Sequence, residues 1–302
     1  MGNRNTNSTA AVVVTYKRRD LLRENINCLF AQTKPCDIYI IDNAGNDGTA
    51  EMVSEISDER LHYINTGANL GGAGGFELGA KIAVEDGYDS VWLMDDDTLP
   101  NPDALEKLFD ADQKLSGNWG WLSSAAFWTD GSICKANIPK TSLFKFVKET
   151  DYRKEIVPVK MASFVSLLVK SSVIRELGLP IGEYFIWTDD YEFTGRVSEK
   201  YPCYLVPGSS VIHAMRDNQK ANIALDSSSR ASRYRCLFRN DVHCYRQYGL
   251  SGWMYILLKD IYRSIEVLRF SKDQKKEKIS IIWQGFQKGL SFHPEINYPE
   301  QS

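Results

Sequence analysis

Residues Asp89–Leu105 read DSVWLMDDDTLPNPDAL, an apolar run that ends in three consecutive carboxylates, Asp95, Asp96 and Asp97. The run has the length of a buried strand, and Pro102 marks the first turn of a helix behind it. Three adjacent like charges repel one another and resist burial. In open α/β sheets, ligands sit at the C-terminal ends of parallel strands. On an extended segment Asp95 and Asp97 point to one side. Two hard oxygen ligands on one side suit Mg²⁺ or Mn²⁺, and such an ion relieves the repulsion. The plainer reading of the same letters is a surface turn whose Asp residues cap the next helix.

Upstream of this stretch the pattern alternates. AAVVVTY (10–16), DIYIIDN (37–43) and RLHYINT (60–66) are strand-like runs. Between them, Leu21, Leu22, Ile26, Leu29 and Phe30 recur at helical spacing, NDGTAEMVSEI reads as a turn and short helix, and a glycine-rich stretch opens a helix to about Glu85. This order predicts an α/β fold with a mostly parallel sheet and helices on both faces. Downstream, Asp130-Gly131 signals a hairpin, and KMASFVSLLVKSSVIRELG runs from strand into helix. EYFIW is expected as a strand entering a helix at Asp189, and two short strands flank Pro207-Gly208. The expected divisions are a domain at 1–215, a polar, Ser-rich loop or lid at 216–232 and a helical region at 233–302.

The totals exclude some classes. A net charge of −3 over 302 residues argues against a globally basic nucleic-acid binder. Six cysteines are scattered without a CxxC pair, so neither a zinc ribbon nor a redox motif is indicated. The polar N-terminus has no signal-peptide core, and no apolar run is long enough to span a bilayer. The expectation is free thiols and a cytoplasmic setting. WMYILLKDIYRSIEVLRF, followed by KDQKKEK, combines an apolar stripe with basic residues. It fits either a peripheral membrane contact at the inner face of the plasma membrane or a helix packed on the domain with a solvated basic face. A homo-oligomer stays open.

Other polar residues stand where chemistry is plausible. Asp42 ends a strand, suited to a base or ribose. Glycines at the start of a helix let N–H groups approach a diphosphate, or merely let the helix pack closely. Asp189 and Asp190 either cap a helix or raise one another's pKa as a general base requires. Glu192 and Arg196 are spaced for an ion pair. Trp187 is a wall for a sugar ring or core, and His213 ends a strand.

Taken in order, VVVTYKR, IIDNAGNDGT, NLGGAGGF, WLMDDDTLP and FIWTDDYEFTGR resemble a family 2 inverting glycosyltransferase with a GT-A fold over about residues 10–215. NLGGAGGF and the WTDDYE…R…H pattern are most similar to the galactofuranosyltransferase branch. The resemblance implies that Thr15, Tyr16, Arg18 and Asp42 hold uridine and ribose. It implies that Asn69 and the loop Gly71, Gly72, Gly74 and Gly75 lie beside the diphosphate and sugar. Asp95 and Asp97 then match metal-binding ends of a DXD motif, Asp96 faces the donor, and His213 is a third metal ligand. Asp190 matches the general base, with Asp189, Glu192 and Trp187 on the acceptor side. The implied partners are a UDP-sugar, UDP-galactofuranose foremost, and a cell-surface or lipid-linked glycan acceptor. The alternatives are a rhamnosyltransferase using a dTDP donor and a non-catalytic nucleotide-sugar-binding protein. The segment 216–232 is expected to order over bound donor.

Overall fold

The computed structural model of the chain describes residues 8–227 and 230–300. Most of the polar N-terminal stretch and Ser228-Ser229 of the expected lid lie outside them. The first half is β1 (Thr9–Thr15), α1 (Arg19–Phe30), β2 (Asp37–Asp42), α2 (Thr49–Ser54), β3 (Leu61–Asn65), α3 (Gly71–Glu85) and β4 (Ser90–Asp95). After it come β5 (Thr98–Pro100), α4 (Ala104–Lys114), β6 (Trp121–Phe127), β7 (Lys140–Ser142), β8 (Lys145–Phe146) and β9 (Val157–Pro158). The rest is β10 (Leu167–Lys170), α5 (Ser171–Leu177), α6 (Asp189–Ser198), β11 (Tyr204–His213), α7 (Ala231–Arg246), α8 (Gly249–Phe270) and α9 (Lys275–Leu290).

The main sheet has the order β3-β2-β1-β4-β10-β6-β11-β5, with β9 on β11. β3, β2, β1 and β4 run parallel, β10 is antiparallel to both its neighbours, and β6 pairs parallel with β11. Every residue of β1 is buried, as a strand covered on both faces requires. Its side chains alternate between two cores. Ala10, Val12 and Val14 join the cluster containing Phe76 of α3 and Phe193 of α6. Ala11 and Val13 join the one built with Leu22 of α1 and Leu108 of α4. Register then aligns the strand ends, with Thr15 opposite Asp42 and Val14 opposite Asp95. One edge of the sheet therefore carries Thr15, Asp42 and Asp95 together.

Four expectations need correction. EYFIW is no strand: Phe185, Trp187 and Thr188 have φ of 64, 65 and 71°. Its backbone turns toward helices instead. The carbonyls of Tyr184, Ile186 and Trp187 accept from Asn240 Nδ2 on α7 at 3.0, 3.1 and 2.9 Å, and the Phe185 carbonyl accepts from the Ala73 N–H at 3.2 Å. Asp130-Gly131 does turn, but the hairpin amounts to a single bridge between Phe127 and Ile133. The two strands around Pro207-Gly208 are one, β11, with an irregularity between Val206 and Ser210. The segment after His213 is not too polar to pack: Ile223 and Ala224 are buried among Tyr234, Phe238 and Val267. Two of its three basic groups are engaged as well, Lys220 over the Phe146 ring at 4.2 Å and Arg230 with Asp226 at 3.1 Å. All six cysteines are free, and no helix among the described residues is long and apolar enough to cross a membrane.

Candidate active site

β4 ends at Asp95, and a tight turn through Asp96 and Asp97 leads into β5, which pairs with β11 so that Thr98 faces His213. This pairing brings His213, 116 residues from Asp97, to 3.0 Å through Nε2. Ligand atoms of Asp95, Asp97 and His213 all lie within 4.8 Å of one another. The Asp96 carboxylate turns the other way, accepting from Thr15 Oγ1 at 2.7 Å and from Arg18 at 3.3 Å. Arg18 also donates to Asp97 at 2.5 Å.

Neighbours divide the three acids. Burial and the Asp97 charge push Asp95 up to about 7. No donor among the described residues reaches its carboxylate. Burial raises Asp96 to about 6 against the pull of Arg18. Burial also acts on Asp97, but His213 and Arg18 outweigh it and hold this carboxyl below the usual range. Burial disfavours the charged His213 ring, yet Asp97 lifts it to about 10. Two carboxylates and an imidazole, one carboxylate without a donor, are the hard O,O,N set that Mn²⁺ or Mg²⁺ takes. Asn137 Oδ1 lies 2.8 Å from His213 Nδ1. As acceptor from Nδ1–H it fixes the tautomer that leaves Nε2 for a metal.

Asp189 and Asp190 open α6 after the strained loop. Positive φ at three non-glycine residues costs on the order of 1–2 kcal/mol each, and such strain collects at functional sites. Asn240 holds the loop from one side, and Thr188 Oγ1 donates to Asp241 Oδ1 at 3.1 Å. Among the described residues no cation bonds to either acid. Burial raises Asp189 to about 7. Burial, Asp189 and Asp95 together raise Asp190 well above its ordinary value, so Asp190 lies within electrostatic reach of the Asp95 cluster.

The remaining expected residues divide. Tyr16 is exposed beside Arg18. Asp42 is spoken for, accepting from the Gly45 N–H at 3.0 Å and Tyr63 OH at 2.7 Å. Asn69 caps the start of α3 by accepting from the Gly71 N–H at 2.9 Å. Gly71, at φ 74°, passes so close to the Phe185 carbonyl that a Cβ would sit 2.0 Å from its oxygen. It thereby joins α3 to the loop ahead of Asp189. Gly72 has open space around it, whereas a Cβ on Gly74 or Gly75 would press on Leu70 or Val14, so close packing requires glycine at these last two. Glu192 is buried in a two-pronged pair with Arg196 at 2.8 and 2.9 Å. Trp187 packs on Tyr234 with ring centroids 5.2 Å apart. A cavity of about 530 Å³ bordered by Leu70, Glu77, Glu183 and Tyr298 shares no residue with the Asp95–Asp97–His213 cluster.

Asn43, Asn137, Asn240 and Arg233 were not anticipated. Asn43 latches the end of β2 to α3, donating to the Gly71 carbonyl at 3.0 Å. Burial, Arg230 and Arg18 hold the Arg233 guanidinium below its usual pKa, so a further cation lies within electrostatic reach of Arg18. Asn43 sits in the quoted IIDNAG motif; the other three carry no local signal, because their partners are remote in sequence.

Residues 10–120 match the family described as Glycosyl transferase family 2. Galactofuranosyltransferase GlfT1 of Mycobacterium tuberculosis (strain H37Rv) is 30% identical over 207 residues, 64% of this chain and 65% of that relative, so the chain spans just under two thirds of its length. The dTDP-rhamnosyl transferase RfbF of Shigella flexneri is 24% identical over 68% of this chain and 69% of its own. Among solved structures, GalNAc-T7 with UDP, GalNAc and Mn²⁺ superposes with a TM-score of 0.65, covering 96% of this chain and 57% of that one; at 13% identity it carries the fold alone. With its ordered motifs, its sheet and these likenesses, the chain is similar to the family 2 glycosyltransferases, whose family model it matches over residues 10–120, and it has the GT-A fold.

Proposed function

We propose that the protein is a metal-dependent inverting glycosyltransferase that moves galactofuranose from UDP-galactofuranose to a cell-surface or lipid-linked glycan. The observation that carries this reading is the convergence of Asp95, Asp97 and His213 at one strand end, with Asp190 in electrostatic reach. Asp95, Asp97 and His213 would hold Mn²⁺ or Mg²⁺, which when bound supplies positive charge to the departing diphosphate. Arg18, with Arg233 in electrostatic reach, offers guanidinium groups to the same phosphates. Thr15 fixes the Asp96 carboxylate. Asp190 takes the proton of the acceptor hydroxyl as that oxygen attacks the anomeric carbon, and its raised pKa suits the task. A single displacement inverts the configuration and needs no covalent enzyme intermediate. Asp189, buried beside it, positions the acceptor. Segment 216–232 leaves β11 directly after His213, and closure of this segment over the donor would exclude water.

The donor is supported by the likeness to GlfT1. RfbF supplies the second reading, a dTDP-rhamnose donor. Nucleoside diphosphate release is the test, measured with both donors, with and without a galactan or rhamnan acceptor, in Mn²⁺, Mg²⁺ and chelator. Acceptor-stimulated, metal-dependent release from UDP-galactofuranose is the expected result. Release from dTDP-rhamnose alone transfers the assignment to rhamnose. Donor binding with no release from either reduces the protein to a binder.

A further inference from the structure

Helix α8 has its polarity inverted. Its charges turn inward: Lys259 pairs with Asp241 of α7 at 2.5 Å, Arg263 with Glu266 at 2.5 Å, and Asp260 is 1% exposed. Its outer face carries Met254, Leu257, Leu258, Ile261, Ile265 and Leu268, between 41% and 59% exposed. No charged side chain occupies an exposed position between Leu250 and Leu268. Phe144, 58% exposed on the β7–β8 hairpin, lies 5.4 Å from the Tyr255 ring and extends the patch. A contiguous apolar surface of this size marks an interaction site.

Width and charge select the occupant. With Trp253 and Tyr262 at its margins, the apolar arc spans about half the helix circumference at 3.6 residues per turn. A two-helix seam needs only a narrow stripe. Cations rim the arc. Exposed Lys145 stands beside Phe144, and exposed Arg269, Lys272, Lys275 and Lys276 follow Leu268, against Asp273 and Glu277. Acyl chains match such an arc, and headgroup phosphates match its rim. The charged inner side keeps the helix on the protein, so it lies along a bilayer rather than through it. We propose that α8 and Phe144 dock the protein on an anionic lipid bilayer. The contact lies close to the chemistry. Asp241, held by Lys259, accepts from Thr188 through its other oxygen at 3.1 Å, one residue before Asp189.

Flotation of the whole protein with vesicles tests this independently of any transferase activity. Vesicles of phosphatidylcholine with about one third phosphatidylglycerol should carry the protein up, and pure phosphatidylcholine should carry much less. Leu258→Glu with Ile265→Glu, both at exposed positions, should reduce partitioning by about tenfold or more. Lys272→Ala, Lys275→Ala and Lys276→Ala should each reduce it up to about fivefold. Melting temperatures of all variants should match the parent, which separates lost docking from lost folding. Failure to float with anionic vesicles overturns the proposal, as does flotation unchanged by both sets of variants. If light scattering then finds a dimer that Leu258→Glu with Ile265→Glu splits, the face belongs to a second copy.

Discussion

Two runs of aspartate meet near one edge of the sheet, and their neighbours treat them oppositely. At the end of β4, Arg18 and His213 contact the acids directly, and Asp97 is held below its ordinary pKa although burial works against it. At the start of α6 no cation among the described residues bonds to the acids; burial pushes both upward, helped by the Glu192 charge at Asp189 and by the Asp189 charge at Asp190. A compensated carboxylate stays ionised and can bind a cation. An uncompensated one takes up a proton readily, which is what a general base must do. Environments that drive like residues apart in pKa are the mark of divided roles. Asp95 stands between the two cases, raised to about 7 and accepting no hydrogen bond from the described residues, so the first cluster still carries more acid than its two cations balance.

The largest effect should follow from removing the compensated acid. Asp97→Ala deletes a proposed metal ligand and the partner of both Arg18 and His213. Several kcal/mol of charge stabilisation at 1.36 kcal/mol per decade implies a loss of turnover of about a thousandfold. Mn²⁺ should also no longer raise the melting temperature in the presence of UDP. Full parental activity in excess chelator would contradict the metal role outright.

Next in size is Asp190→Asn, which preserves shape and removes the proposed proton acceptor. Turnover should fall by about a hundredfold or more, while UDP affinity stays at the parental level. Because burial and Asp189 raise its pKa, parental turnover should climb with pH above the ordinary carboxylate range. The residual activity of the variant should lose that climb. If Asp97→Ala and Asp190→Asn instead weaken donor binding equally, the two clusters are one site and the division of roles is wrong.

Why the first cluster was legible in the sequence and the second only partly so is a matter of range. A buried strand that ends in carboxylates is a local pattern, and β-register alone then lines up Thr15, Asp42 and Asp95. The parallel half of the sheet followed from the same alternation. His213 carried no local signal; its placement rested on family resemblance, and the β5–β11 pairing accounts for it. EYFIW has the composition of a strand, yet Asn240, more than fifty residues on, takes its carbonyls and turns the backbone left-handed. Glu192 had the spacing of a surface pair and is instead buried with Arg196. Glycines mislead similarly, since a phosphate-binding glycine and a packing glycine are spelled alike.

That last ambiguity yields a smaller test. A Cβ at Gly75 would sit 2.5 Å from Val14 Cγ1, while one at Gly72 meets nothing within 4 Å. Gly75→Ala should therefore force α3 away from β1, at a cost of about 1–3 kcal/mol in chemical denaturation. Gly72→Ala should leave stability within about 1 kcal/mol of the parent, since alanine suits a helix better than glycine. A Gly72→Ala protein that is stable but impaired in UDP binding would show that this end of the stretch serves the donor. Equal loss of stability in both variants would contradict the packing difference.

The last test carries the compensation rule outside the site. Asp260 on α8 is buried, and neither of its carboxylate oxygens has a hydrogen-bond partner among the described residues. Burial and the Asp241 charge raise it to about 8, although neighbouring Lys259 pulls the other way; the Lys259 ammonium is bonded to Asp241 instead. An acid whose folded pKa exceeds its unfolded value, about 3.9, retains a proton in the fold that it releases on unfolding. Between those two pKa values the folded state binds more protons, so stability falls as pH rises. The contribution is most favourable below the unfolded pKa and fully lost above the folded one. Asp260→Asn removes the titration. Relative to the parent it should gain roughly 1–3 kcal/mol between pH 5 and pH 8, an order-of-magnitude figure at 1.36 kcal/mol per pKa unit discounted for relaxation around the buried group. Denaturation midpoints across that range decide it. Parallel pH profiles for parent and variant would mean that Lys259 compensates Asp260 after all, and that an acid beside a cation need not be bonded to it to stay ionised.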